Sequence, residues 1–242
     1  MNRNKYRAMN IPVKTVIPNM ITCGSVFCGT ASLIMTLHAN FIPAAILIFF
    51  AVFFDIMDGR VARSLGGSSS FGEELDSLAD AISFGLAPAV LMYSAYIDVA
   101  GGLLGILAAA FFALCGVLRL ARFNVSHVPA GPFQGLPIPA GGLTLTAFVI
   151  AKIPLLPIAA MFIMVFIGAL MVSSVPFCNA KKLKKGNFNK MRFYGIWALV
   201  FACFIIFRSK GFLAVSFIYI GTGLARFDMA EWVLDEEKAD EK

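Results

Sequence analysis

Apolar residues run along this chain in long unbroken blocks, with no strand-like alternation between them. The blocks fall near 16–38, 41–62, 73–97, 101–121, 137–151, 154–177, 193–207 and 211–226, separated by a few glycine, polar or basic positions. A helix needs about 20 apolar residues to cross a bilayer, and most blocks approach that length; the fifth and seventh are shorter. Backbone groups in lipid must bond within their own segment, which favours helices. The pattern therefore predicts an all-α polytopic membrane bundle of eight transmembrane helices. The first block is too long for a signal-peptide core and is read as a retained helix. The expected organisation is a basic juxtamembrane segment (1–15), one membrane domain (16–226) and an acidic tail (227–242).

Composition agrees. With 59% hydrophobic and 14% charged residues, there are too few charges to cover a water-soluble domain of this size. Charge also orients the bundle. If both termini are cytoplasmic, 17 of the 20 basic residues lie on that side, leaving Lys152, Arg208 and Lys210 outside, as retention of positive charge requires. The run KKLKK at 181–185 reads as an anchor on anionic headgroups, and no nucleic-acid partner is expected. Five scattered cysteines without a CxxC pair read as small core residues.

The acids are unevenly placed. Of 14, seven lie in the tail, Asp98 sits in an external turn, and six fall within 55–80. Asp55 and Asp58 are i,i+3 at the end of the second predicted helix; Asp76 and Asp80 are i,i+4 at the start of the third. Each pair shares a helix face, and the glycine-serine linker at 64–71 allows a tight return between them. Four carboxylates then converge near the cytoplasmic surface. Arg60 and Arg63 cannot balance four negative charges, so hard divalent cations with oxygen ligands, Mg2+ or Mn2+, are expected there. Neither histidine has a partner at ligand spacing, which argues against zinc. Carboxylate-held metals suit phosphoryl transfer, with one carboxylate left to act as base.

Residues 55–80 read DIMDGRVARSLGGSSSFGEELDSLAD. Asp55, Asp58, Gly59, Ala62, Arg63, Gly72, Asp76 and Asp80 match every fixed position of a signature, D-x2-D-G-x2-A-R-x8-G-x3-D-x3-D, and the chain thereby resembles the CDP-alcohol phosphatidyltransferases. That resemblance implies that the four aspartates hold one or two divalent ions on the pyrophosphate of a CDP-lipid. It makes Asp80 the base that takes the acceptor's hydroxyl proton. It also implies that Gly59, Ala62 and Gly72 admit the nucleotide, that Arg63 meets phosphate, and that Asn19 and Thr22 of PNMIT (18–22) lie near the nucleotide. Close helix packing is an alternative use of the small residues.

Three further stretches, DAISFGLAPA (80–89), RLARFN (119–124) and FQGLPIPAGG (133–142), resemble the membrane-type phosphatidylserine synthases within that family. The implied substrates are CDP-diacylglycerol and L-serine, with CMP released at the cytoplasmic face of the inner membrane; the implied assembly is a homodimer. Arg119, Arg122 and Asn124 are candidates to hold serine, and Ser83 joins them because i+3 from Asp80 shares its face in an α-helix. Positive-inside anchoring is the alternative reading of the two arginines. Glycerol 3-phosphate or inositol phosphate as acceptor, and an ion-coupled transporter built on the same carboxylates, remain alternatives at this stage.

Overall fold

A computed structural model describes residues 13–66, 69–125, 133–177 and 205–226, with isolated positions 195, 200, 202 and 203. The order is α1 (Val13–Leu37), α2 (Phe41–Ser64), α3 (Ser70–Asp80), a π-helical turn (Ala81–Leu86), α4 (Ala87–Tyr96), α5 (Gly102–Val125), α6 (Ile138–Ile150), α7 (Pro157–Val172) and α8 (Gly211–Leu224). Among the described residues, five helical segments are long and apolar enough to cross a membrane: Val16–Leu37, Phe41–Ser64, Ser70–Tyr96, Gly102–Val125 and Ile205–Leu224; α6 and α7 are shorter apolar helices. Their outward faces carry large apolar side chains, among them Phe27, Leu104 and Phe162, each at least 70% exposed. A surface this apolar calls for lipid as solvent, and the chain is an integral membrane protein.

The tight turns between helices take the form their length demands. α1 ends with Ala39 at φ 58°, and the Asn40 amide reaches back to the Met35 carbonyl at 2.9 Å. Left-handed geometry at this position closes the last turn of a helix and sends α2 back along α1. The two are tied across the core by Ser32, whose hydroxyl donates to the Ala44 carbonyl at 2.9 Å. Helix α6 packs against α2, α4 and α8, while α5 pairs with α7. Phe84, Phe112, Ile138, Leu145 and Met164 fill the interior between them. The Tyr96 hydroxyl donates to the Phe148 carbonyl at 2.8 Å, joining α4 to α6.

Two expectations change. The predicted third helix is not a uniform α-helix: the Ala87 amide bonds to the Ile82 carbonyl, an i→i+5 step. Pro88 explains it locally, having no amide to give the Phe84 carbonyl and a ring that crowds it. The sixth predicted helix stops at Val172, and Pro176–Phe177 pair antiparallel with Phe133–Gln134 in a two-residue ladder; Gly135, at φ 83°, turns the chain in against the Met171 carbonyl, where a side chain would collide. The seventh predicted helix lies largely outside the described residues; its end, 205–207, leads into α8 through a 3-10 turn at Arg208–Lys210.

Candidate active site

The site is built where α2 ends and α3 begins. Ser69 starts α3 by accepting the Gly72 amide on its hydroxyl at 3.1 Å, an N-cap that begins the helix three residues earlier than its apolar pattern suggests. Asp76 and Asp80 then face α2. One carboxylate oxygen from each of Asp55, Asp76 and Asp80 lies within 4.8 Å of the others, a spacing at which one cation can touch all three.

Asp58 stands beside this trio, toward α1. It is 6% exposed, and its Oδ2 is buried without a hydrogen-bond partner among the described residues. Thr22, Arg63 and the Gly59 amide are its neighbours. Thr22 is itself fixed, donating to the Pro18 carbonyl at 3.1 Å. Among the described residues charge does not balance: Arg63 faces Asp58 and Arg119 faces Asp80, two cations against four carboxylates. An orphaned buried carboxylate oxygen and a set of donors made wholly of hard oxygens fit a divalent cation such as Mg2+ or Mn2+.

The residues expected around the nucleotide gather at one edge. A Cβ on Gly72 would come 3.0 Å from Asn19 Oδ1 and 3.3 Å from Ser69 Oγ, and one on Gly59 would come 3.3 Å from an Arg63 nitrogen. These glycines therefore leave shallow backbone floors roofed by Asn19 and Arg63. Ala62 is half-buried on the same turn, and Arg63 itself is exposed.

The expected acceptor residues divide. Arg119 is 9% exposed, faces Asp80 and Tyr219, and lies over the Phe123 ring at 5.9 Å. Asn124 joins α5 to α3, its amide donating to Ser77 Oγ at 3.1 Å, one residue from Asp76. Arg122 is exposed and reaches the Val172 carbonyl at 3.4 Å, an end-of-helix contact with α7. Ser83 does not open onto the site. It is fully buried, and its hydroxyl donates to the Ser25 carbonyl at 2.9 Å. The expectation assumed α geometry, whereas the wider π turn carries a residue three positions on well short of the Asp80 face.

Sequence reasoning missed Ser77, Tyr219 and the polar stripe of α1. Thr22, Ser25, Gly29, Ser32 and Thr36 are all buried and recur at alternating steps of three and four. That spacing puts them on one helix face, and it was readable in advance.

A family model described as CDP-alcohol phosphatidyltransferase matches residues 15–204. Among curated relatives, archaetidylserine synthase of Methanothermobacter thermautotrophicus is 38% identical over 66% of this chain and 69% of its own length. The CDP-diacylglycerol–serine O-phosphatidyltransferase of Bacillus subtilis is 38% identical over 72% and 98%, and that of Helicobacter pylori 34% identical over 93% and 97%. The fold is similar to that of Mycobacterium tuberculosis phosphatidylinositol phosphate synthase with CDP-DAG bound, at a TM-score of 0.50 and 24% identity over 64% of this chain and 80% of that one. The same enzyme in complex with manganese and citrate gives a TM-score of 0.50 over 65% and 78%.

Proposed function

The chain belongs to the CDP-alcohol phosphatidyltransferase family, and from that premise we propose that it transfers the phosphatidyl group of CDP-diacylglycerol to L-serine, giving phosphatidylserine and CMP. The observation that carries the chemistry is the meeting of Asp55, Asp76 and Asp80 within 4.8 Å, with the buried, unpartnered Asp58 oxygen beside them. The choice of serine is supported by relatives named for serine transfer, one of them matched across 93% of this chain.

In this reading the four aspartates would hold two divalent cations, Mg2+ or Mn2+, which when bound would draw charge off the pyrophosphate and stabilise the departing CMP. Asn19, Thr22, Gly59, Ala62, Arg63 and Gly72 receive the nucleotide end of the lipid, and the acyl chains stay in the bilayer. Asp80 takes the proton of the serine hydroxyl as its oxygen bonds to the lipid-side phosphorus, and the bond from that phosphorus to the CMP oxygen breaks. Arg119, poised by Asp80 and over Phe123, receives the serine carboxylate in a charge-assisted contact; Arg122 and Asn124 hold the α5 end in place. The enzyme works as a homodimer in the inner membrane with this site toward the cytoplasm, a reading that rests on family likeness and on the distribution of basic residues.

The test is CMP release by detergent-purified protein given CDP-diacylglycerol and a panel of alcohols. Serine should support turnover at least tenfold faster than glycerol 3-phosphate or inositol phosphate. Preference for a phosphorylated acceptor would move the enzyme to another branch of the family, and cation transport without CMP release would exclude transfer altogether.

A further inference from the structure

Asp80 ends α3, and the chain then widens into the π turn Ala81–Leu86 before α4 begins. A π turn holds about one residue more than an α turn. Each residue of an α-helix accounts for about 100°, so the turn rotates α3, and with it Asp76 and Asp80, by roughly that amount against α4. Such a turn is rare and occurs mostly as a single bulge inside an α-helix, frequently at a functional site.

The surroundings here are specific. Pro88 withholds the amide that would re-form the α bond to Phe84. On the α1 side, Ser83 donates to the Ser25 carbonyl at 2.9 Å, and the Ser25 hydroxyl reaches Ser83 Oγ at 3.3 Å. Both serines are 1% exposed or less. Gly29, one turn further along α1, allows the approach: a Cβ there would stand 2.6 Å from Ser83 Oγ and 2.9 Å from its Cα. On the opposite side a Cβ on Gly142 of α6 would stand 2.5 Å from the Phe84 carbonyl. The turn is gripped between two helices, each through a glycine.

We propose that Ser83, with Ser25 and Gly29, is a positioning device for Asp80: it clamps the π turn to α1 and so sets the rotation at which the Asp80 carboxylate meets Asp55 and Asp76. This rests on the reading of those three aspartates as a cation site. It moves Ser83 from contact with substrate to action through Asp80.

The test is a titration of the detergent-purified full chain with Mn2+ alone, followed by electron paramagnetic resonance of the free ion, together with thermal melting and steady-state kinetics. Ser83→Ala should bind Mn2+ about five- to tenfold more weakly, lower kcat at least tenfold, and leave KM for serine near the wild-type value. Ser25→Ala, which keeps the bond to the Ser25 carbonyl, should do the same to a smaller degree. Gly29→Ala, which displaces the turn without removing a hydroxyl, should match Ser83→Ala. Thr36→Val, which removes another buried hydroxyl of α1 that donates to Ser32 at 2.8 Å, should leave Mn2+ binding unchanged. The proposal fails if Ser83→Ala and Gly29→Ala bind Mn2+ as the wild type does, or if the wild type binds none. It fails equally if Ser83→Ala raises only KM for serine, which would make Ser83 a substrate contact, or lowers only the melting temperature. A wild type that binds Mn2+ but ignores serine would overturn the acceptor assignment and leave this inference standing.

Discussion

Asp58 is buried close to three other carboxylates, and one of its oxygens has no hydrogen-bond partner among the described residues. Leaving such a group unsatisfied costs about 1–3 kcal/mol, and more when it is charged. Asp58→Asn removes the charge at constant volume; in excess chelator it should melt a few degrees above the wild type, and with Mg2+ or Mn2+ present it should lose CMP release. A lower melting temperature would mean that the protein itself satisfies this carboxylate. Asp80→Asn should abolish turnover with the fold intact, checked by CMP release beside circular dichroism; an active variant would remove Asp80 from the role of base. The glycines separate by what lies over them. Gly72→Ala drives a methyl toward Asn19 Oδ1 at 3.0 Å, whereas Gly59→Ala meets the flexible end of Arg63 at 3.3 Å. The first should raise KM for CDP-lipid about tenfold, roughly 1.4 kcal/mol of lost binding, and the second by much less.

Helix α1 does more than its hydropathy implies. Its buried stripe presents Thr22 to Asp58, Ser25 and Gly29 to Ser83, and Ser32 to α2. Small residues let helices approach closely in lipid, where apolar burial gives little drive for association. The α3–π–α4 segment uses that closeness on both flanks. Gly142→Ala would press a methyl against the Phe84 carbonyl and Cα, and overpacking of this kind costs about 1–3 kcal/mol. The melting temperature in detergent should fall by several degrees; an unchanged value would show that α6 can move aside.

At the scale of the whole molecule, the four aspartates of the site lie where α2 ends and α3 begins, while the tight left-handed turns at Ala39 and Lys152 close the opposite ends of α1 and α6. Cysteine introduced at Asn40 should react with an impermeant maleimide from outside intact cells, and cysteine at Ser64 only after permeabilisation. The reverse pattern would invert the bundle. Excess chelator should stop CMP release, and added Mg2+ or Mn2+ should restore it; full activity in chelator would remove metal from the reaction.

The order of residues already determined the helical membrane architecture, most helix limits within a few positions, and the pairing of Asp55, Asp58, Asp76 and Asp80 near one return. Apolar length and i,i+3 or i,i+4 spacing are local properties, fixed by the geometry of a single helix. What α1 contributes at the site, the depth at which Arg119 and Ser83 lie, and the rotation of α3 against α4 were decided only by packing. An i+3 neighbour shares a face only while the turn stays α-helical, and whether it does depends on Pro88 and on the two helices that grip the turn from either side.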